Sequence, residues 1–296
     1  MPDDFQIDTL GLPVNRDVLF TTHKNRFHKG AAKGRMKVLR DFAPALKQLL
    51  KPGEEILLVV KACSPMSWFE QMTTGWIIYY LKRCVLVVTN QRILHFPTRT
   101  NFAPRRSAAQ ILYGDIADIK LGAFLSRTLK LTYRSGKVER FHYIPPAEYK
   151  KLKAILPSPP RQGAPSEAGE RHHLCPRCQA RLLKGKFKCP SCHLQFKDGE
   201  RAVRLSILYP GGGYFYTGHP LLGVGDALAE GVLLFAVFAA LVEWINGGIP
   251  AGDWALAFFL GLALVVEKAE TIYHAKHYVN EYIPLEDSFA PMRAPS

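Results

Sequence analysis

The sequence predicts a multidomain protein: an α+β module built as a small β-barrel capped by a C-terminal helix, a small cysteine ribbon, and an α-helical transmembrane hairpin. Three observations predict this. Short stretches rich in β-branched and aromatic residues fill the first half, two Cys-x-x-Cys pairs follow, and two long apolar stretches lie near the C-terminus. A chain of 296 residues is long enough for about two domains that each bury a core. With 11% aromatic and 22% charged residues, a disordered chain is excluded.

The positive charge is distributed unevenly along the chain. Residues 1–202 carry 35 basic and 16 acidic side chains, a net of +19, whereas residues 203–296 carry 4 and 9, a net of −5. A pI of about 9.5 is a standard reason to consider nucleic acid as a partner. Most of the positive charge, however, precedes the apolar stretches, where it can face anionic lipid. Membrane apposition therefore explains the charge better, and nucleic acid is not the expected partner.

Residues 1–44 are predicted to be a basic N-terminal segment that contains a helix. The first eleven residues contain three acids and lack the basic and apolar regions of a secretory signal. Seven cations fall between residues 24 and 40. Apolar residues such as Val38, Phe42 and Leu46 recur at helical spacing. Contacts with anionic lipid or a protein partner are predicted for the cations of this segment and of a later loop: Lys24, Arg26, Lys29, Lys33, Arg35, Arg99, Arg105 and Arg106. The alternative is that these cations only keep the surface solvated.

Residues 45–156 are predicted to be the β-rich module. The predicted strands are 55–62, 76–81, 83–89, 92–96, 111–122, 128–133 and 137–144. Arg134-Ser135-Gly136 between the last two strands is typical of a hairpin turn. Pro145 and Pro146 introduce the closing helix, 147–156, because proline is tolerated in a first helical turn.

Three phrases of this module resemble bacterial PH and GRAM-type domains: LKPGEEILLVVKA (50–62), VVTNQRIL (87–94) and YGDIADIKL (113–121). They occur in the same order as in those families and cover about residues 45–156. The resemblance implies a PH-like barrel of about seven strands with one C-terminal helix. It also implies that phosphorylated lipid headgroups or peptides are ligands, although no phosphoinositide-specific pattern is present.

A proline-rich linker, 157–171, leads to the cysteine ribbon, 172–200. Two Cys-x-x-Cys turns are separated by ten residues, and together they offer four thiolates, the soft tetrahedral ligand set that zinc prefers. The predicted ligands are Cys175, Cys178, Cys189 and Cys192. The pattern resembles zinc-ribbon knuckles of the CPxC type. A disulfide framework is the alternative, and a cytoplasmic location disfavours it; His172, His173 or His193 could replace one ligand.

The last third predicts a membrane domain. Residues 201–220 are predicted to be an interfacial or re-entrant segment, followed by transmembrane helices 221–245 and 249–268 and a cytoplasmic extension and tail, 269–296. Pro210, Gly211, Gly213, Phe215, Tyr216 and Gly218 match the PGxGxFYxG opening of small bacterial membrane domains with two helices. The basic residues outside the hairpin place both termini in the cytoplasm by the positive-inside rule. A buried soluble helical hairpin is the alternative.

Two sets of ionisable residues in this domain are candidate functional groups. Asp226 and Glu230 lie four residues apart in the first span, where ionisable groups indicate function unless they are hydrated at the interface. A second set shares one helix face after the second span, and such a face can hold a divalent metal or dock against neighbouring protein. Its members are Glu270, His274, His277 and Glu281.

No nucleophile elbow, Walker sequence, dinucleotide fingerprint or HExxH motif occurs, so the sequence favours a non-enzymatic protein. The first expectation is a scaffold or adaptor in the bacterial inner membrane that recruits an unidentified protein partner. The second is an envelope component that senses anionic lipid. The third is an accessory subunit of a transporter or channel, which requires an oligomer because two helices cannot enclose a pathway alone; homo-oligomers could form through the hairpin.

Overall fold

The computed structural model describes residues 10–156, 165–247 and 253–285, and these form two compact units. The first unit runs up to Leu194, and the second begins at Gln195. The first is α+β and contains the cysteines and all strands found in the described residues, whereas the second is helical over its described residues.

Helix formation at the start of the first unit follows the predicted apolar spacing. After the short helix α1 (Arg16–Leu19), helix α2 (Lys29–Leu49) buries one apolar face that includes Leu39, Phe42 and Leu46. Both helices have side-chain N-caps, Asn15 for α1 and His28 for α2, which satisfy backbone N–H groups of the first turn. The predicted helix in this region is confirmed.

In the part of the chain that the structure describes, eight strands form two antiparallel sheets. They are β1 (Ile56–Cys63), β2 (Arg83–Thr89), β3 (Arg92–Pro97), β4 (Ala108–Leu112), β5 (Ile116–Gly122), β6 (Thr128–Tyr133), β7 (Val138–Phe141) and β8 (His172–Leu174). The larger sheet has the order β1-β2-β3-β4-β8, and the smaller sheet has the order β5-β6-β7. The predicted turn at residues 134–136 joins β6 and β7, with Gly136 in the left-handed region at φ 84°.

The larger sheet is buried on both faces, and this explains its long apolar runs. Val85 and Val87 of β2 belong to one core cluster with α2. Leu86 and Val88, which alternate with them, belong to a second cluster with β6, β7 and the closing helix α5 (Pro146–Ile155). The first unit therefore has three layers: α2, the larger sheet, and the smaller sheet with α5.

The predicted closed barrel is not present in the described residues. A 3₁₀ turn at Tyr113–Asp115 and a register shift between Ile116 and Asp118 redirect the chain from β4 into the smaller sheet. The outer edge of β4 is taken by β8 instead of β5. Within the described residues, one isolated antiparallel bridge, between Cys63 and His142, joins the two sheets. The sheets therefore stay separate because a strand from beyond the module occupies the edge that closure would need.

The predicted strand at 76–81 is wrong, because this stretch is helical. Helix α3 (Trp68–Thr74) is followed by a 3₁₀ turn at Gly75–Ile77 and by helix α4 (Ile78–Leu81). Ser67 and Glu70 form a reciprocal capping box that starts α3. β-Branched and aromatic composition alone therefore misidentified residues 76–81, which continue the helical stretch that this capping box starts.

Two of the three phrases that resemble PH and GRAM-type domains meet in one buried ion pair. Glu54, from the KPGE phrase, accepts hydrogen bonds from Arg92 Nε at 2.9 Å and Arg92 Nη2 at 2.8 Å. Thr89, from the TNQR phrase, donates to the same carboxylate at 2.8 Å. Arg92 and the accompanying donors lower the pKa of Glu54 even though burial, the largest single influence, raises it. These motif residues therefore join the turn before β1 to the turn between β2 and β3.

The second unit consists of helices packed through glycines. They are α6 (Gly199–Leu208), α7 (Gly212–Thr217), α8 (Pro220–Ile245) and α9 (Asp253–Tyr278), followed by a 3₁₀ turn at Val279–Glu281. A Cβ on Gly213 of α7 would meet Ser206 of α6 and Ala275 of α9. Gly211 has φ 68°, and a Cβ there would meet the carbonyl of Gly223 in α8. The triple glycine thus allows α7 to pack closely against three neighbouring helices.

In the part of the chain that the structure describes, one helix, α8, is long and apolar enough to cross a membrane. Most of its large apolar side chains are exposed, including Leu228, Val232 and Phe235. The second predicted span does not qualify in the same way, because α9 is uncharged only over residues 254–266 before Glu267, Lys268 and Glu270. Residues 249–252 of that predicted span lie outside the described residues. Of the two predicted transmembrane helices, only the first therefore corresponds to a candidate span in the described residues.

Candidate metal centre

The four predicted ligand cysteines form one cluster. Cys175 Sγ lies 3.5 Å from Cys192 Sγ, and Cys178 Sγ lies 3.5 Å from Cys189 Sγ. All four sulfurs lie within 4.8 Å of one another. A zinc ion with sulfurs at about 2.3 Å places them about 3.8 Å apart on the edges of a tetrahedron, whereas a disulfide requires about 2.05 Å. The thiols are free, and their spacing fits a four-thiolate metal site such as zinc.

The two Cys-x-x-Cys turns have the same backbone geometry. The matching bonds are Cys175 N–H to Ala180 O and Gln179 N–H to Cys175 O in the first turn, and Cys189 N–H to Leu194 O and His193 N–H to Cys189 O in the second. Gln179 and His193 hold φ at 61° and 57°, so the chain reverses directly after each second cysteine. His193 is therefore a turn residue, and the metal-ligand cluster consists of the cysteines alone.

Backbone donors point at the first sulfur of each turn. The N–H groups of Arg177 and Cys178 bond Cys175, and those of Ser191 and Cys192 bond Cys189. Burial raises the pKa of the Cys175 thiol and also acts to raise that of Cys189. At Cys189 the backbone donors and the neighbouring thiols outweigh burial and leave the pKa at about 7. Donors of this kind stabilise a metal-bound thiolate.

The centre is attached to the larger sheet through β8, which ends one residue before Cys175. His172, His173 and Leu174 pair antiparallel with Gln110, Ala109 and Ala108 of β4. The His172 ring lies 2.7 Å from Gln110 Nε2, so this imidazole contacts the sheet rather than the sulfur cluster. The described end of the predicted linker is also fixed, since the Ser166 hydroxyl donates to Asp115 at 2.7 Å. Residues 157–164 of that linker lie outside the described residues.

A buried polar chain under β8 was not anticipated from the sequence. Ser64 Oγ lies 2.9 Å from His95 Nε2, and His95 Nδ1 lies 3.1 Å from Arg171 Nη1. Arginine can only donate, so His95 Nδ1 accepts, and His95 Nε2–H donates to the serine. Burial, with Arg171 nearby, also holds the pKa of His95 well below its usual value. His95 therefore cannot take the proton of Ser64 in this arrangement, and the pair has a structural role.

Arg171 is in turn neutralised by Glu139 of β7. Its Nε and Nη2 donate to both carboxylate oxygens at 2.9–3.1 Å, and Tyr133 donates to the same carboxylate at 2.7 Å. Although burial raises the pKa of Glu139, Arg171 and Lys137 outweigh it and bring the value to about 2. No sequence signal joins these residues, because they lie on separate strands and on the segment before β8.

The predicted basic contact residues divide into an exposed group and one buried residue. Lys24, Arg26, Lys29 and Lys33 are exposed, as are Arg99 and Arg106 in the loop after β3, while Arg105 is half-buried. Arg35 differs, because it is 4% exposed, donates to the carbonyl of Thr21 at 3.2 Å and pairs with Glu148 at 3.5 Å. Its charge therefore joins α2 to α5 and is not available at the surface.

The two acids predicted in the first span lie near a third that the sequence did not single out. Carboxylate oxygens of Asp226, Glu230 and Glu267 lie within 4.8 Å of one another. Glu230 is buried, pairs with Lys268, and accepts from the Gly211 N–H at 3.3 Å. Three carboxylates at this spacing could hold a cation, and Lys268 already supplies one positive charge. Glu230 thus links α8 to α9 and to the start of α7.

The predicted stripe of Glu270, His274, His277 and Glu281 is only partly brought together. His274 is buried and lies 3.6 Å from Glu270, and its ring stacks with that of Tyr278. His277 and Glu281 are half-buried and belong to none of the metal-ligand clusters found in the described ranges. The stripe therefore packs in part inside the second unit.

The chain was compared with protein-family models, curated proteins and solved structures. No protein-family model, no curated protein and no solved structure matches this chain.

Proposed function

We propose that the chain is a non-enzymatic scaffold or adaptor, anchored in the bacterial inner membrane, that presents a PH-like module and a structural zinc ribbon in the cytoplasm. The observation that carries the proposal is the pairing of β8 with β4, because it joins the cysteine centre to the larger sheet through backbone hydrogen bonds. In this proposal the first unit presents the PH-like module and the cysteine ribbon together, and a protein partner can contact both.

The chemistry of the centre supports a structural role for the metal. Four thiolates complete a tetrahedral shell, and a complete shell leaves no position for a substrate or an activated water. In this proposal zinc stabilises the ribbon, and catalysis is not part of the protein's activity.

The membrane part of the proposal extends beyond what α8 alone supports. It takes α8 and the apolar part of α9 as a two-helix hairpin with both termini in the cytoplasm. Support comes from the seven cations between Arg181 and Arg204, which precede α8 as the positive-inside rule requires of a cytoplasmic flank.

Copurification from native membranes tests the scaffold. We expect the tagged full chain, after crosslinking, to recover a specific set of proteins that a tagged fragment of residues 195–296 does not recover. The fragment keeps the helices of the second unit, so it controls for proteins that only share the membrane. Recovery of the same set by both would contradict recruitment by the first unit.

A second candidate, sensing of anionic lipid, is favoured by one exposed stripe on α2. Lys29, Lys33, Lys37 and Arg40 are exposed and fall within about 80° of one another on the helix. Each such cation near an anionic surface contributes about 1 kcal/mol. The buried Arg35 lies outside this stripe.

Lysine acetylation of the reconstituted full chain tests this candidate. We expect Lys33 and Lys37 to react more slowly in vesicles that contain phosphatidylglycerol than in phosphatidylcholine vesicles, and high salt to remove the difference. Lys120 is the matched control, since it is exposed but pairs with Asp118 at 3.2 Å. Equal protection of Lys33 and Lys37 in both vesicles would exclude lipid sensing by this stripe.

A further inference from the structure

We infer that residues 67–81, the aromatic segment, insert their exposed rings into the headgroup layer of an anionic bilayer. The inference deepens the proposed function, because it rests on the chain being held at a membrane. It assigns a lipid contact to the stretch between β1 and β2, of which residues 76–81 were wrongly predicted to be a strand.

The aromatic segment exposes an unusual set of large apolar side chains. Trp68 is 72% exposed, Met72 is 61% exposed and Trp76 is 71% exposed. Phe69 and Tyr80 are also exposed, at nearly half of their surface each. Trp68 and Met72 lie four residues apart in α3 and therefore share a face. The Trp76 and Tyr80 rings are in contact, with their centroids 5.7 Å apart. Exposed large apolar side chains grouped within one short segment are typical of an interaction site.

The fold holds this patch in place, so the exposure is not that of a loose loop. Ile78 and Leu81 are buried, and the capping box at Ser67 fixes the start of α3. The Tyr79 ring packs on Tyr143 at 4.5 Å, and the Tyr79 carbonyl accepts from the Cys63 thiol at 3.1 Å. The backbone that carries the exposed rings is thus held by packing, so few backbone torsions need to be fixed when the rings enter a bilayer.

The charges around the segment complement an anionic surface. Glu70 is the only acid between residues 64 and 83, and it is buried against Lys82 at 3.1 Å. Arg83 lies over the Tyr80 ring at 4.5 Å, and Lys61 lies over the Phe102 ring at 4.9 Å. The segment therefore presents aromatic rings with cations beside them and no exposed carboxylate, which is the composition of an interfacial membrane contact.

A neighbouring loop extends the same surface. Phe124 and Leu125, between β5 and β6, are 96% and 93% exposed, more than any other large apolar side chain among the described residues of the first unit. The loop returns to the fold at Arg127, whose carbonyl accepts from Ile144 at 3.1 Å, next to the Tyr143 that packs on the aromatic segment. Two separate stretches of chain thus bring large apolar side chains toward one end of the module.

A bilayer fits this surface better than a protein partner does. Tryptophan and tyrosine prefer the headgroup layer, where the ring is desolvated while its polar atom stays hydrated. The same chain also carries α8, the apolar helix that could cross a membrane. A protein partner becomes one of the outcomes of the test.

Tryptophan quenching by brominated lipid tests the inference on the full chain. The protein has four tryptophans, so W244F/W254F reports Trp68 and Trp76, whereas W68F/W76F reports Trp244 and Trp254 of the predicted hairpin. Both variants are reconstituted in vesicles of phosphatidylcholine and phosphatidylglycerol with bromines near the headgroups. We expect the bromines to quench Trp68 and Trp76. Adding F69D/M72D to the W244F/W254F protein is expected to reduce this quenching at least about twofold.

Leu183→Asp in the W244F/W254F protein, without F69D/M72D, is the matched control, because Leu183 is 51% exposed and lies in the cysteine ribbon. We expect it to leave the quenching of Trp68 and Trp76 unchanged. Quenching of Trp244 and Trp254 without quenching of Trp68 and Trp76 would overturn the inference and leave membrane anchoring intact; a surface reserved for a protein partner gives this result. Absence of quenching in both variants would overturn anchoring and the inference together.

Discussion

At the residue scale, one carboxylate links three elements of the first unit. Glu139 of β7 neutralises Arg171, which precedes β8, and Arg171 in turn fixes the tautomer of His95 in β3. Because the carboxylate is 3% exposed, its loss would leave a buried guanidinium without a counterion. A buried charge pair of this kind is costly to break from one side, whatever its net contribution to stability.

We therefore expect Glu139→Gln to lower the free energy of unfolding by about 3–5 kcal/mol. In the wild type, the pKa of Glu139 falls from its usual value to about 2 on folding. Its stabilisation is therefore complete above about pH 5 and is lost as the pH falls toward that folded value. Denaturant unfolding of the detergent-solubilised chain between about pH 7 and about pH 3 measures both effects.

Glu167→Gln is the control for this prediction. Its side chain is 96% exposed and meets Arg181 only at 3.4 Å, so we expect stability to remain unchanged. If the two variants unfolded alike, Glu139 and Arg171 would not form the buried pair described above.

At the element scale, the cysteine cluster that could hold a metal is joined to the larger sheet through β8. We expect Cys178→Ser, or zinc removal by a chelator, to release one metal equivalent and to speed amide hydrogen exchange in β4, since β8 covers that edge. Mass spectrometry of the native protein and peptide-resolved exchange measure the two effects. Ser191→Ala, an exposed change in the second turn, is expected to keep both metal and protection. Metal loss without faster exchange in β4 would show that β8 holds without the centre.

The glycines of α7 are a second property at this scale. Gly213→Ala would place a methyl group against Ser206 and Ala275, so we expect the packing of α6, α7 and α9 to be disrupted, with a loss of at least about 2 kcal/mol. Gly225→Ala in α8 meets no atom within 4 Å and is expected to be neutral or to stabilise by up to about 1 kcal/mol. Thermal unfolding in detergent compares the two. Equal stability would contradict close helix packing at Gly213.

At the scale of the whole molecule, local patterns predicted the elements better than their assembly. The apolar spacing of α2, the strands β1 to β3 and the turn at residues 134–136 follow from neighbouring residues, and so does the cysteine cluster. The open arrangement of the sheets was not predictable in this way, because β8 reaches β4 from 62 residues away. The buried Arg35 and the helical aromatic segment were missed for a related reason: composition does not reveal which partner a side chain meets.

The edge position of β8 also affects the folding of the module during synthesis and the solubility of its fragments. A ribosome that has released only residues 1–156, the module as the sequence delimits it, has produced a sheet whose last strand, β4, still offers unpaired N–H and C=O groups. Such an edge recruits strands from other molecules and leads to aggregation. A fragment that ends at residue 156 should therefore be poorly soluble, whereas one that continues to Leu194 carries its own edge cover. By this argument β8, which leads into the cysteine ribbon, covers the open edge of the module as soon as the chain is long enough to reach it.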